Sequence, residues 1–114
     1  MTQVAPEIEA SSRVRVLVVE DEVLIRMFLA EELRAEGFDV LEASNADEAQ
    51  ELLNAVTGIS LVVTDIRMPG RLDGTALVRL VRNQLPGAKI AVMTANKPPH
   101  PEADLILRKP FERL

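Results

Sequence analysis

Val16-Leu17-Val18-Val19-Glu20-Asp21-Glu22 is apolar at four successive positions and acidic at the next three. A run apolar on both faces is a strand covered by helices on each side, the condition of a central strand in a parallel sheet. The first strand is therefore expected over Val14–Val19, with the acidic triplet at its carboxyl end. A helix should follow from about Val23 to Glu36, with Ile25, Leu29 and Leu33 as its inward stripe and Gly37 as its stop. Upstream, Met1–Ser12 carries Pro6, Glu7 and Glu9 without periodicity and is expected to be a flexible tail, leaving residues 13–114 as the folded domain.

The alternation continues downstream. Phe38–Ala43 is a weaker strand, placed at the sheet edge because Asp39 and Glu42 interrupt it. Ser44, three residues before Asp47, suggests a capping box opening a helix that carries Ala46, Ala49, Leu53 and Val56 on one face. Ile59–Thr64 is a third strand with Asp65 at its exit. The loop Ile66–Gly74 follows, and Asp73 is a candidate cap for a helix with Leu77, Leu80, Val81 and Leu85 inward, stopped by Pro86-Gly87. Lys89–Met93 is a fourth strand ending at Thr94, and Asp104–Arg108 a fifth, leading into Lys109-Pro110-Phe111. Between them, Pro98, Pro99 and Pro101 exclude an ordinary helix. Strands alternating with amphipathic helices mean βαβ units and an α/β fold with a parallel sheet. Met27 and Met93 are expected to be core packing, and His100 a solvated loop residue.

Composition narrows the function. The 114 residues are 47% hydrophobic and suit one domain. Thirteen Lys+Arg against 18 Asp+Glu give a formal net charge of −5, which argues against a nucleic-acid partner. There is no cysteine for a disulfide, thiol nucleophile or thiolate metal site. No apolar run reaches bilayer-spanning length, so no membrane is involved and a cytoplasmic location is expected. Without Trp or Tyr, a flavin carrier of similar architecture would lack rings to flank the isoalloxazine.

Ligands of open parallel sheets lie beyond the carboxyl ends of the strands. Glu20 and Asp21 stand there after strand one, Asp65 after strand three, Thr94 after strand four and Lys109 after strand five. Crowded carboxylates repel by roughly 4 kcal/mol per close pair at an effective dielectric near 20, so a cation should sit among them. Oxygen-only ligands point to Mg²⁺, with Mn²⁺ possible. Lys109 and the Thr94 hydroxyl would serve an anion at the same place. Asp65 is then a carboxylate nucleophile for a phosphoryl group, ionised at neutral pH and needing no general base. Glu22 is read as a charge favouring the helix start.

These residues resemble the receiver domain of bacterial two-component response regulators. The likeness runs from about Val14 to Phe111 and rests on Val16–Glu22, Thr64-Asp65-Ile66-Arg67-Met68-Pro69, Asp73-Gly74, Met93-Thr94-Ala95 and Lys109-Pro110-Phe111, each near a strand exit. It implies a doubly wound, flavodoxin-like sheet in the order 2-1-3-4-5. It also implies a signalling phosphoacceptor, not an enzyme on an external substrate, in which Asp65 takes a phosphoryl group from a histidine kinase or phosphotransfer protein. Asp21, Asp65 and the backbone carbonyl of Arg67 would bind Mg²⁺, with Glu20 acting through water, while Thr94 and Lys109 would contact the phosphoryl group. The Lys109-Pro110 bond would be cis.

Three features depart from that family. The position three before the lysine, usually aromatic, is Ile106, so no ring rotation can report phosphorylation there. Asp104 follows Thr94 by only ten positions, short of the dozen or more that a parallel crossover normally takes, so the fourth helix is expected to be short or absent. The chain stops at Leu114, so the fifth helix is expected to be truncated. Output is expected through contact with a protein partner, by way of the Pro-rich segment beside strand five, in a monomer or weak dimer. The alternative is an adaptor of the same fold that works without phosphorylation.

Overall fold

A computed structural model of the protein describes residues 13–66, 74–94 and 103–108. Its elements are β1 (Arg15–Val19), α1 (Val23–Ala35), β2 (Asp39–Ala43), α2 (Ala46–Ala55), β3 (Ile59–Asp65), α3 (Gly74–Gln84), β4 (Lys89–Thr94) and β5 (Leu105–Arg108). The strands form one parallel sheet in the order β2-β1-β3-β4-β5, the doubly wound α/β topology that the sequence pattern and the family resemblance imply. The expected tail, the loop through Asp73, the Pro-rich crossover with its fourth helix, and the fifth helix lie outside the described residues.

The two faces of β1 sort its side chains by alternation. Leu17 and Val19 join Ala46, Ala49 and Leu53 of α2 and Leu77, Val78 and Val81 of α3 in one fully apolar layer. Val16 and Val18 join Leu29 and Ala30 of α1, with Ile25, Phe28 and Leu33 packed alongside. Burial on both sides is why the run reads as continuously hydrophobic. No helix among the described residues is long and apolar enough to cross a membrane.

Helix ends follow local chemistry. Gly37 adopts φ 100°, and the Phe38 and Gly37 amides donate to the carbonyls of Leu33 and Arg34 at 3.1 and 3.0 Å, a Schellman stop. The capping box of α2 is displaced by one residue from the expected Ser44. The cap is Asn45, whose side chain accepts from the Glu48 amide at 2.8 Å, and the Glu48 carboxylate reaches back to the Ser44 amide and hydroxyl at 2.7 and 2.8 Å. A second correction concerns Met27, which is 45% exposed. At 100° per residue it stands about 200° from Ile25, on the opposite side of α1 from the buried stripe. Met93 is fully buried, as expected.

β5 is held to its neighbours by Asp104. Its carboxylate accepts from the Ile90 amide at 2.8 Å and from Arg82 at 2.6 Å, while Arg82 also donates to the Ala88 carbonyl at 2.9 Å. The Ile90 amide, and after it the Arg82 guanidinium, hold the Asp104 carboxyl below its ordinary pKa. A depressed folded-state pKa contributes stability that is present above the unfolded value, near 4, and is lost as pH falls through the folded one. Asp104→Asn should therefore cost about 1 kcal/mol at pH 7 in urea melts, with the deficit closing below about pH 4. A deficit of the same size at both ends of that range would show that the carboxylate charge is not what matters.

Candidate functional site

The site is built by strand register. Val19 pairs with Thr64, so the residues that follow, Glu20 and Asp65, leave adjacent strands side by side. Asp65 pairs in turn with Met93, and Thr94 with Arg108. One carboxylate oxygen from each of Glu20, Asp21 and Asp65 lies within 4.8 Å of the other two. Glu20 is fully buried, Asp65 is half-buried and Asp21 is exposed, so the cluster opens to solvent on one side.

Of the six residues expected here from sequence, the structure brings these three together. Arg67 and Lys109 lie outside the described residues, as does the side chain of Thr94, whose backbone ends β4.

Glu20 is fixed from three directions. Its amide donates to the Ala43 carbonyl at 3.0 Å, extending the β1–β2 ladder by one residue. Its carbonyl accepts from Arg26 at 2.8 Å, and its carboxylate accepts from the Glu22 amide at 3.1 Å. The last contact places Glu22 at the helix start, where its backbone serves the site and its own side chain is exposed.

On the β3 side, the buried Thr64 hydroxyl donates to the Asp65 carbonyl at 2.9 Å, and the Gly74 amide donates to the Ile66 carbonyl at 2.9 Å. Gly74 approaches so closely that a Cβ there would overlap the Asp65 carbonyl oxygen and lie 2.6 and 2.8 Å from the Ile66 Cα and carbonyl oxygen. Sequence reasoning did not assign Arg26, Thr64 or Gly74 to the site. Gly74 alone left a signal, as a glycine at a helix start where a side chain is normally preferred.

The donor set fits a hard divalent cation. It is all oxygen, carries up to three negative charges within 4.8 Å of one another, and opens to solvent on the Asp21 side. The same set fits Mg²⁺ or Mn²⁺ better than zinc, which favours nitrogen and sulfur.

Residues 16–113 match the family model of the response regulator receiver domain. The transcriptional regulatory protein PdtaR of Mycobacterium tuberculosis is 40% identical over 96 residues, covering 83% of this chain and 45% of that protein. The chain thus spans about half the length of this curated relative. Among solved structures, the response regulator protein TrrA of Thermotoga maritima in complex with Mg²⁺–BeF is 35% identical, with a TM-score of 0.77 over 87% of this chain and 89% of that one. The chemotaxis protein CheY4 of Vibrio cholerae is 26% identical, with a TM-score of 0.78 over 88% and 89%. With its sheet order, its acidic cluster at the strand exits and a family match over nearly its whole length, the chain belongs to the response regulator receiver domains.

Proposed function

We propose that this receiver domain is a Mg²⁺-dependent phosphoacceptor, bacterial and cytoplasmic, that takes a phosphoryl group onto Asp65 from a histidine kinase or phosphotransfer protein and signals through partner contact. The observation carrying this reading is the convergence of Glu20, Asp21 and Asp65 within 4.8 Å at the end of the sheet where ligands of such folds bind. Asp21, Asp65 and the Arg67 carbonyl would hold the ion, with Glu20 supporting it through water. When bound, Mg²⁺ offsets negative charge on the phosphoryl oxygens.

Asp65 is half-buried at a strand end, with its backbone held by Thr64 and by the β3–β4 ladder, so its carboxylate is presented in a fixed place. A carboxylate oxygen of Asp65 attacks phosphorus in line. The new O–P bond forms as the phosphohistidine N–P bond breaks, and the bonding pair stays on the imidazole nitrogen. Lys109 and Thr94 would stabilise the equatorial oxygens as donors. The product is an acyl phosphate, with no general base involved. Ile106 is 38% exposed and aliphatic, so output is read from a changed contact surface and not from a rotating ring.

Incubation with ³²P-acetyl phosphate and Mg²⁺ should label the protein with acid-stable, hydroxylamine-labile phosphate. Labelling should vanish in Asp65→Asn and fall to background in EDTA. Wild-type protein that takes no label under these conditions would instead be a phosphorylation-independent adaptor.

A further inference from the structure

The first turn of α1 carries Arg26 and no acidic residue. A cation there faces the positive end of the helix dipole and stands beside a site built to attract Mg²⁺, so on charge alone the position is unfavourable twice over. Its geometry supplies the reason for it. One guanidinium nitrogen, Nη1, donates to the Glu20 carbonyl at 2.8 Å, while Nε faces Oε1 of Glu42 on β2 at 3.4 Å. Glu42 is steadied in turn by Arg34 at 3.1 Å from the last turn of the same helix. The Arg26 side chain is only 17% exposed.

We infer that Arg26 is a positioning residue for the metal site: oriented by Glu42, its planar fork pins the Glu20 carbonyl and so holds the Glu20-Asp21 backbone where both carboxylates converge on Asp65. The Glu20 amide is already tied to Ala43 on β2, and the carbonyl bond supplies the second anchor of the same residue, from α1. Two donors of fixed relative direction are needed, one for a backbone oxygen and one for a carboxylate. A guanidinium has them, and an ammonium on a flexible stem does not hold both at once.

The inference rests on the Mg²⁺ reading above and makes a prediction opposite in sign to simple electrostatics. If Arg26 acted only as a nearby positive charge, its removal would tighten Mg²⁺ binding and Arg26→Lys would change nothing. As a positioning residue, both Arg26→Ala and Arg26→Lys should weaken Mg²⁺ binding roughly tenfold, the lower end of what outer contacts contribute to metal sites. Arg15→Ala separates this from general destabilisation. Arg15 makes a similar clamp at the far end of the sheet, to Asp39 at 2.9 Å and the Thr57 carbonyl at 2.7 Å. Its loss should lower the melting point and leave Mg²⁺ affinity unmoved.

Because the protein has no Trp or Tyr, the titration is best read from amide NMR shifts of Glu20, Asp21 and Asp65 on adding MgCl₂. Weakening in both Arg26 variants but not in Arg15→Ala supports the assignment. An Arg26→Lys affinity within twofold of wild type, a tighter Arg26→Ala, or an equal loss in Arg15→Ala overturns it. Should Arg26→Ala fail to fold, Arg26→Lys decides. If wild-type shifts are absent, or appear at unchanged Mg²⁺ concentration in Asp21→Asn, the Mg²⁺ reading itself fails and the role of Arg26 falls with it.

Discussion

Gly74→Ala should lower stability by about 3 kcal/mol, a fall in melting midpoint of more than about 10 °C, and weaken Mg²⁺ binding in the protein that remains folded. The ordinary expectation has the opposite sign, since Ala is a better helix residue than Gly by about 1 kcal/mol. Here the first residue of α3 lies against the backbone of the β3 exit, where a methyl would overlap the Asp65 carbonyl oxygen and press on Ile66. Neither neighbour is the end of a flexible side chain, so relief requires a backbone shift in a close-packed interior. The carbonyl that must move belongs to Asp65 and already accepts the Thr64 hydroxyl, so its displacement carries the Asp65 carboxylate with it. Thermal melts with and without Mg²⁺ read both effects. A variant matching wild type in midpoint and in Mg²⁺-induced gain would mean that α3 sits farther from β3 than described.

The contrast between Gly74 and Asp65 shows what a sequence exposes. Asp65 is legible because a strand boundary is a change of hydrophobic pattern, and a carboxylate at such a boundary stands out from Leu61-Val62-Val63. The Schellman glycine Gly37 and the buried stripe Ile25, Leu29 and Leu33 are equally local or periodic features, whereas the order of the strands is legible only through the family resemblance. Gly74 leaves only a faint mark, a glycine at a helix start, and the reason it matters, its distance to a segment nine residues away in the chain, is recorded by no pattern. Arg26 looks like any polar residue on a helix, and its role appears only once β1, β2 and α1 are packed. The shift of the α2 cap from Ser44 to Asn45 has a similar origin. Both residues are good caps, and Glu48 can serve either, so the choice is settled by where the chain leaves β2. Met27 differs from expectation because residue type says nothing of facing, and its angle from Ile25 puts it on the solvent side.

Removing one charge from the acidic cluster should stabilise the metal-free protein while weakening its hold on Mg²⁺, two effects that an ordinary structural carboxylate would not combine. Glu20 is fully buried beside two other carboxylates, and repulsion between unit charges about 4 Å apart is of order 4 kcal/mol at an effective dielectric of 20, reduced where solvent reaches Asp21. Glu20→Gln keeps an oxygen to accept the Glu22 amide, so the substitution removes charge without removing that bond. In EDTA, Glu20→Gln should gain about 1–2 kcal/mol, and Asp21→Asn, being exposed, less than about 1 kcal/mol. Binding to the native state alone stabilises it in proportion to the logarithm of ion concentration over Kd, so wild type should climb steadily in melting point as Mg²⁺ is added. In both variants that climb should begin at roughly 30- to 100-fold higher Mg²⁺, a loss of about 2–2.7 kcal/mol at saturation that outweighs the gain in EDTA. The crossing of the curves is the diagnostic, with the variants melting higher without the ion and lower at saturating concentration. A Glu20→Gln protein less stable than wild type in EDTA would place the worth of that carboxylate in its structural hydrogen bonds, and the electrostatic case for a metal among these acids would lose its main support.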